Sequence, residues 1–287
     1  MNLQNIITEI EKVDPEVYGR LDTRRSAMKQ FAFAGKVLAA AAIPTALGSM
    51  FNKAYGRNTN SIVDVLNFAL TLEYLEYEFY REGVSRMGLI PNSTDRAALI
   101  VIRDHELAHV NLLRSTIISL GGTPVFFTFS SFDYTAHGTF PDPFTNYAVF
   151  LAIAQTFEDT GVRAYKGQAT NLMSNDLILR TALRIHSVEA RHASHLREMR
   201  IRLGALIPAG VTLQPWITLN QSGIDAGTMA ANNAIQLSYN GEELTTQAGI
   251  NIVGINGFAI DANDASESFD EPLTKAQVIT IVTPFFA

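Results

Sequence analysis

The strongest constraint on the fold is an internal repeat, which places one glutamate and then a Glu-x-x-His sequence in each of two halves of the chain. The segment 69–73 (ALTLE) matches the segment 154–158 (AQTFE). Further along, residues 106–109 (ELAH) match residues 189–192 (EARH). A glutamate and a histidine three residues apart lie on the same face of an α-helix. If these segments are helical, each half therefore directs two carboxylates and one imidazole toward a common neighbour.

Four long segments with helical periodicity carry the repeat, and they predict an all-α fold. We expect helices at about residues 61–87, 93–120, 143–171 and 174–204. Ser93 and Ser174 are expected at the starts of the second and fourth helices. Short links join the helices within each pair, whereas residues 121–142 form a long aromatic-rich link between the pairs. This connectivity is typical of an antiparallel four-helix bundle with one long crossover. The six aromatic residues between Phe126 and Phe140 indicate that the crossover packs onto the bundle.

The spacing of the repeat places all the repeated side chains at one height in such a bundle. Glu73 comes 14 residues before Met87, and Glu106 comes 13 residues after Ser93. At about 1.5 Å per residue, each carboxylate lies roughly 20 Å from the turn between the two helices. The second hairpin has nearly the same spacing around its own turn. We therefore expect six ligands to meet at mid-bundle: Glu73, Glu106, His109, Glu158, Glu189 and His192.

Four carboxylates and two imidazoles form a ligand set suited to two iron or manganese ions. Carboxylates can bridge two ions and offset their charge in a poorly solvated core. The chain has no cysteine, so thiolate ligands are excluded. Two alternatives stay open: the glutamates are recurring surface charges, or the bundle has lost its metal. Unpaired carboxylates in an apolar core would be prohibitively unfavourable, which favours metal binding.

The order Glu, Glu-x-x-His, Glu, Glu-x-x-His resembles that of ferritins, bacterioferritins, rubrerythrins and manganese catalases. Residues 66–80, which include LEYLE at 72–76, and residues 269–274 (FDEPLT) are more similar to exported ferritin-like proteins related to plant desiccation-related proteins. The resemblance covers residues 60–204 and, weakly, the tail. It implies that Glu106 and Glu189 bridge two metals. It further implies that Glu73 and Glu158 are the ligands that their helices supply singly, and that His109 and His192 each bind one metal. The functions of this group are diverse, so no activity follows from the resemblance alone.

Residues 105–109 (HELAH) also fit the His-Glu-x-x-His sequence of zinc metalloproteases, in which two histidines bind zinc and the glutamate is the base. The repeat argues against this remote alternative, because Val188 stands where the second half would need a histidine. A protease would also leave the glutamates at 73, 158 and 189 without a role. On the di-metal interpretation, replacing His105 leaves the metal content unchanged.

Several residues near the ligands are assigned ordinary roles. Glu76 is expected to be solvated, although its position one turn from Glu73 would also allow a contact with the ligands. Tyr80 and Tyr165 are expected to pack in the core, although each lies two turns after a ligand glutamate and could hydrogen-bond to a ligand. Apolar neighbours are expected to keep the site dry: Leu72, Leu107 and Phe157.

The N-terminal segment, residues 1–55, predicts export across a membrane. Arg24 and Arg25, followed by Lys29 and a mildly apolar stretch, resemble a twin-arginine signal. We therefore expect a folded protein to be carried to the periplasm. An ordinary amphipathic N-terminal helix is the alternative.

The rest of the chain divides by composition into the bundle, residues 60–204, and a mixed C-terminal extension, residues 205–287. The run at residues 250–255 (INIVGI) looks like a strand or an extended loop. Residues 274–277 (TKAQ) form a capping-box sequence, which predicts a short final helix.

Composition limits the partners. A net charge of −6 and a pI near 5.5 argue against nucleic acid. The apolar stretch at residues 31–49 is too short and interrupted to be a confident membrane span, so none is expected in the mature form. Metal ions and small oxidants are the expected partners, and a homo-oligomer stays open. We expect redox chemistry on oxygen, peroxide or ferrous iron in stress protection. The main alternative is a non-catalytic metal-binding or scaffold protein.

Overall fold

The computed structural model describes the chain from residue 59 to residue 287, so the predicted export signal lies outside the described residues. Four long helices form an antiparallel bundle: α1 (Thr59–Ser85), α2 (Ser93–Ser119), α3 (Tyr147–Ala169) and α4 (Asp176–Leu203). Helix α1 packs along α2 and α3 packs along α4, while α1 also contacts α3 across the bundle. The predicted all-α bundle with one long crossover is confirmed.

Asparagine side chains cap α2, α3 and α4, and Ser93, the predicted cap of α2, is instead its first residue. Asn92 accepts a hydrogen bond from a backbone N–H in the first turn of α2, and Asn175 does the same in α4. Helix α3 begins at Tyr147, later than predicted, because Asn146 caps it there. Asparagine and serine satisfy the free N–H groups of a first turn about equally well, so the choice between Asn92 and its neighbour Ser93 was not visible in the sequence.

The crossover between α2 and α3 packs onto the bundle, as its aromatic residues predicted. Phe132, Tyr134 and Phe140 are buried. The hydroxyl of Tyr134 donates a hydrogen bond of 2.8 Å to the backbone carbonyl of Leu75 in α1. Phe126 is the exception, since 67% of its surface is exposed.

The C-terminal extension consists of short elements, and its last helix packs against α3. These elements are α5 (Met229–Gln236), β1 (Thr246–Gln247), β2 (Ile250–Asn251), α6 (Ala262–Glu267) and α7 (Lys275–Val282). Thr274 and Gln277 form the predicted capping box of α7. The strand expected at residues 250–255 is only two residues long. Within residues 59–287, no helix is long and apolar enough to cross a membrane.

Candidate metal centre

Six ionisable side chains meet in the core at the middle of the four helices. Helices α1 and α3 each supply one glutamate, whereas α2 and α4 each supply a Glu-x-x-His pair. The carboxylates are 0% exposed and the histidines at most 7%. The structure thus brings together all six residues that the repeat predicted: Glu73, Glu106, His109, Glu158, Glu189 and His192.

The first group of side chains surrounds His109. Its Nδ1 atom lies 3.0 Å from Glu73 Oε2 and 3.1 Å from Glu106 Oε2. The same nitrogen lies 3.1 Å from Glu189 Oε1. One ligand atom from each of the four residues lies within 4.8 Å of the others, so the group could hold one metal ion.

The second group surrounds His192. Its Nδ1 atom lies 2.9 Å from Glu106 Oε1 and 3.1 Å from Glu158 Oε2. Glu189 Oε2 lies 3.8 Å away. Glu106 and Glu189 therefore belong to both groups, since each directs one oxygen toward His109 and the other toward His192. Two carboxylates placed in this way could bridge two ions.

The site contains more buried negative charge than the surrounding protein offsets. Apart from these histidine contacts, Glu106 Oε1 and both carboxylate oxygens of Glu189 are buried without a hydrogen-bond partner among the described residues. Buried polar atoms in folded proteins nearly always have a partner. Four ionised carboxylates carry a formal charge of −4, which two divalent cations would balance. The donor set therefore fits two metal ions.

Burial and close contact shift the ionisation of the whole cluster. Burial raises the pKa of Glu73 and Glu158 well above the ordinary value, against the opposing effect of the adjacent histidines. Burial would also raise the pKa of Glu106, but His109 and His192 hold it below the ordinary value. Metal ligands must be deprotonated to bind, so metal ions would replace the protons shared within this cluster.

Two tyrosines donate hydrogen bonds across the bundle to the carboxylates of Glu158 and Glu73. The hydroxyl of Tyr80 on α1 donates a hydrogen bond of 2.6 Å to Glu158 Oε1 on α3. In the mirror arrangement, the hydroxyl of Tyr165 on α3 donates to Glu73 Oε1 on α1. Both tyrosines are buried in the core, as expected, and both also make the hydrogen bond to a ligand that the sequence analysis named as the other possibility. The available signal was their position, seven residues after a ligand glutamate in each half of the repeat.

His105 lies outside both groups and contacts His192 from the far side. The two rings stack with centroids 5.2 Å apart, and His105 Nδ1 lies 2.9 Å from His192 Nε2. Metal-binding histidines commonly use their second ring nitrogen for such a contact, which fixes the orientation of the ring. A zinc protease would need His105 and His109 around one ion, whereas His109 faces Glu73 and Glu189. The sequence had assigned His105 no role.

A fifth carboxylate, Glu76, lies in the core beside the four ligands, and the expectation that it is solvated was wrong. It is 3% exposed. Gly161 occupies the equivalent place of the repeat on α3, and a Cβ atom there would lie 3.2 Å from Glu76 Oε1. The missing side chain of Gly161 therefore makes room for Glu76. Burial raises the pKa of Glu76, and repulsion from the neighbouring carboxylates adds to the shift.

Two of the three residues expected to keep the site dry do lie in the core. Leu72 and Phe157 are buried, but Leu107 is 37% exposed. Successive residues of a helix point about 100° apart, so Leu107 turns outward when Glu106 points into the core.

The fold and the site define a class of protein. One glutamate from each of two helices, with a Glu-x-x-His pair from each of the other two, is the architecture of the carboxylate-bridged metal proteins built on a four-helix bundle. Residues 61–202 match the family model described as a ferritin-like domain. This part of the chain, which covers nearly all of α1 to α4, is therefore a ferritin-like domain. No curated protein and no solved structure matches the chain.

Proposed function

We propose that the bundle binds two iron or manganese ions and carries out redox chemistry on oxygen, peroxide or ferrous iron. The observation that carries this proposal is the shared position of Glu106 and Glu189. Each directs one oxygen toward each histidine, and apart from these contacts three of the four oxygens have no hydrogen-bond partner among the described residues. Two adjacent metal ions, when bound, can together exchange two electrons with one oxidant.

The residues of the chain would bind and orient the metals and keep water away from them. Glu73 and Glu158 would each serve one ion, held in place by the hydroxyls of Tyr165 and Tyr80. Leu72 and Phe157, the chain neighbours of Glu73 and Glu158, are buried and add apolar surface to the core. A rigid ligand set in a dry pocket is what metal-assisted chemistry requires of a protein.

Metal analysis of natively purified protein tests the binding. We expect about two iron or manganese ions per chain, because the six ligands form two groups. Glu106→Ala and Glu189→Ala should each remove both ions, whereas Glu73→Ala should weaken one. Glu198 is exposed on the same helix as Glu189, so Glu198→Ala serves as the matched control with unchanged metal content. One zinc per chain, lost on His105→Ala, would favour the metalloprotease instead.

Stopped-flow absorbance tests the redox chemistry. Anaerobic ferrous protein is mixed with oxygen or with peroxide, beside a Glu158→Ala variant. We expect fast oxidation in the wild type and slow oxidation in the variant. Equal, slow oxidation in both would overturn the redox proposal and favour a metal-binding or scaffold role.

We also propose that the protein is exported in the folded state, on the basis of Arg24 and Arg25. Loading metal in the cytoplasm would couple binding to folding before export. Replacing both arginines by lysine should retain the protein inside the cell, as measured by fractionation. Unchanged fractionation would remove the support for a twin-arginine signal.

A further inference from the structure

A partly enclosed cavity lies between the four helices, on the side of the metal centre where α3 joins α4. Its volume is about 60 Å³. Every helix of the bundle contributes apolar side chains to its wall, among them Leu72, Leu113, Ala164 and Ile185. Leu172, in the 3₁₀ turn Thr170–Leu172 between α3 and α4, lines it as well.

The few hydroxyl groups in the wall already have partners. Thr116 donates to the carbonyl of Leu112, and Thr181 donates to the carbonyl of Leu177. The hydroxyl of Tyr165 donates to Glu73. Water needs two to four polar partners in a buried site, whereas apolar cavities stay dry and bind small apolar molecules. The amide of Gln168 is the remaining polar group of the wall, and its oxygen accepts a hydrogen bond from the Asn171 side chain. The rest of the wall is apolar, so the cavity is suited to an apolar guest.

The cavity reaches the metal centre through Tyr165. This side chain lines the cavity, and its hydroxyl contacts Glu73, one of the four residues of the first ligand group. Leu72, the neighbour of Glu73 on α1, lines the cavity too. A guest in the cavity would thus be separated from the ligands by one layer of side chains.

We propose that this cavity binds dioxygen and delivers it to the metal centre past Tyr165. This inference rests on the proposed redox function. A space of roughly 10–15 Å³ on this measure holds one water molecule, so the cavity has room for a diatomic guest. Dioxygen is apolar and gains from transfer out of water into such a space, whereas peroxide would lose hydrogen bonds there.

Xenon binding in pressurised crystals tests the cavity without any need for metal. Xenon should occupy the space between Leu72, Tyr165 and Ile185 in the wild type. Ala182→Leu and, on another helix, Ala69→Val fill the cavity and should abolish binding, since both alanines line it. Thr181→Val keeps the volume of the wall and serves as the matched control that still binds. A wild-type crystal without xenon at this position would overturn the proposal.

Oxidation kinetics test the delivery. In iron-loaded protein, Ala182→Leu should slow oxidation by oxygen about tenfold, equivalent to about 1.4 kcal/mol in the barrier, and leave oxidation by peroxide unchanged. Ala276→Leu, which makes the same substitution at an exposed position of α7 away from the cavity, should match the wild type with both oxidants. An Ala182→Leu protein that loses xenon but keeps its oxygen rate would overturn delivery through the cavity. Failure of the proposed redox function is distinguishable from this result, because the wild type itself would then oxidise slowly with both oxidants.

Discussion

At the scale of single residues, the two halves of the repeat are unequal around their histidines. His192 has His105 on its far side, whereas Val188 occupies the corresponding position of the second half. Burial, with the nearby charge of His192, lowers the pKa of His105 to about 4, so its ring is neutral near pH 7. A neutral His105 can accept a hydrogen bond from the second nitrogen of His192. The two proposed metal positions are therefore inequivalent in their outer contacts.

Replacing His105 by valine, the residue of the other half, should weaken one metal position and spare the other. Removing such a contact typically lowers metal affinity about 10–100-fold. Metal content at saturation should stay near two ions, in line with the sequence prediction, while calorimetric titration shows one weaker step. His195→Val, which removes a half-buried histidine that belongs to neither ligand group, is the control and should leave both steps unchanged. Equal weakening of both steps would contradict a local role for His105.

At the scale of elements, α3 is tied to the C-terminal extension by one buried arginine. The guanidinium of Arg163 donates to the backbone carbonyls of Ser238, Asn240 and Glu271 at 2.6–3.0 Å. Its Nε atom also lies 2.5 Å from Glu242 Oε1. Arg163 thus holds together three stretches of a region that has little regular structure of its own.

Arg163→Met should destabilise the protein without changing its metal content. Removing one partner of a buried ion pair commonly costs about 3–5 kcal/mol, because Glu242 would be left buried and unpaired. Urea unfolding measures this loss of free energy. Arg86→Met is the matched control, since Arg86 pairs with Glu82 on the surface and such pairs contribute at most about 1 kcal/mol. Equal stability of the two variants would show that the extension is held by other contacts.

The sequence predicted the four long helices because their apolar period extends over many turns and their ends are marked by Gly, Pro and Asn. It could not predict the role of Arg163, whose partners lie at least 75 residues away along the chain. The same limit applies to Glu76, which is buried because α3 has a glycine at residue 161 opposite it. Local pattern determines the type of an element, whereas these contacts depend on how distant elements pack.

At the scale of the whole molecule, the repeat made the six clustered side chains predictable. The residues in which the two halves of the repeat differ were not predictable in this way. The six clustered side chains occur in matching pairs, so one half supports the interpretation of the other. His105 and Glu76 have no such counterpart, because Val188 and Gly161 occupy the equivalent places. A search for matching residues in the two halves therefore does not find His105 or Glu76.

The charge in the core should make the stability of the whole bundle depend on metal. A ligand that binds only the folded state adds about 2.7 kcal/mol at a free concentration 100 times its Kd, so two such sites add roughly 5 kcal/mol. Dialysis against a chelator should lower the urea midpoint of the wild type, and added manganese or ferrous iron should restore it. The double variant Glu106→Gln with Glu189→Gln lacks both carboxylates that are proposed to bridge the metals and should be insensitive to chelator. Buried carboxylates at this density are stabilised either by bound cations or by protons. A wild-type urea midpoint that changes with neither chelator nor added metal would therefore indicate protons and contradict a metal centre here.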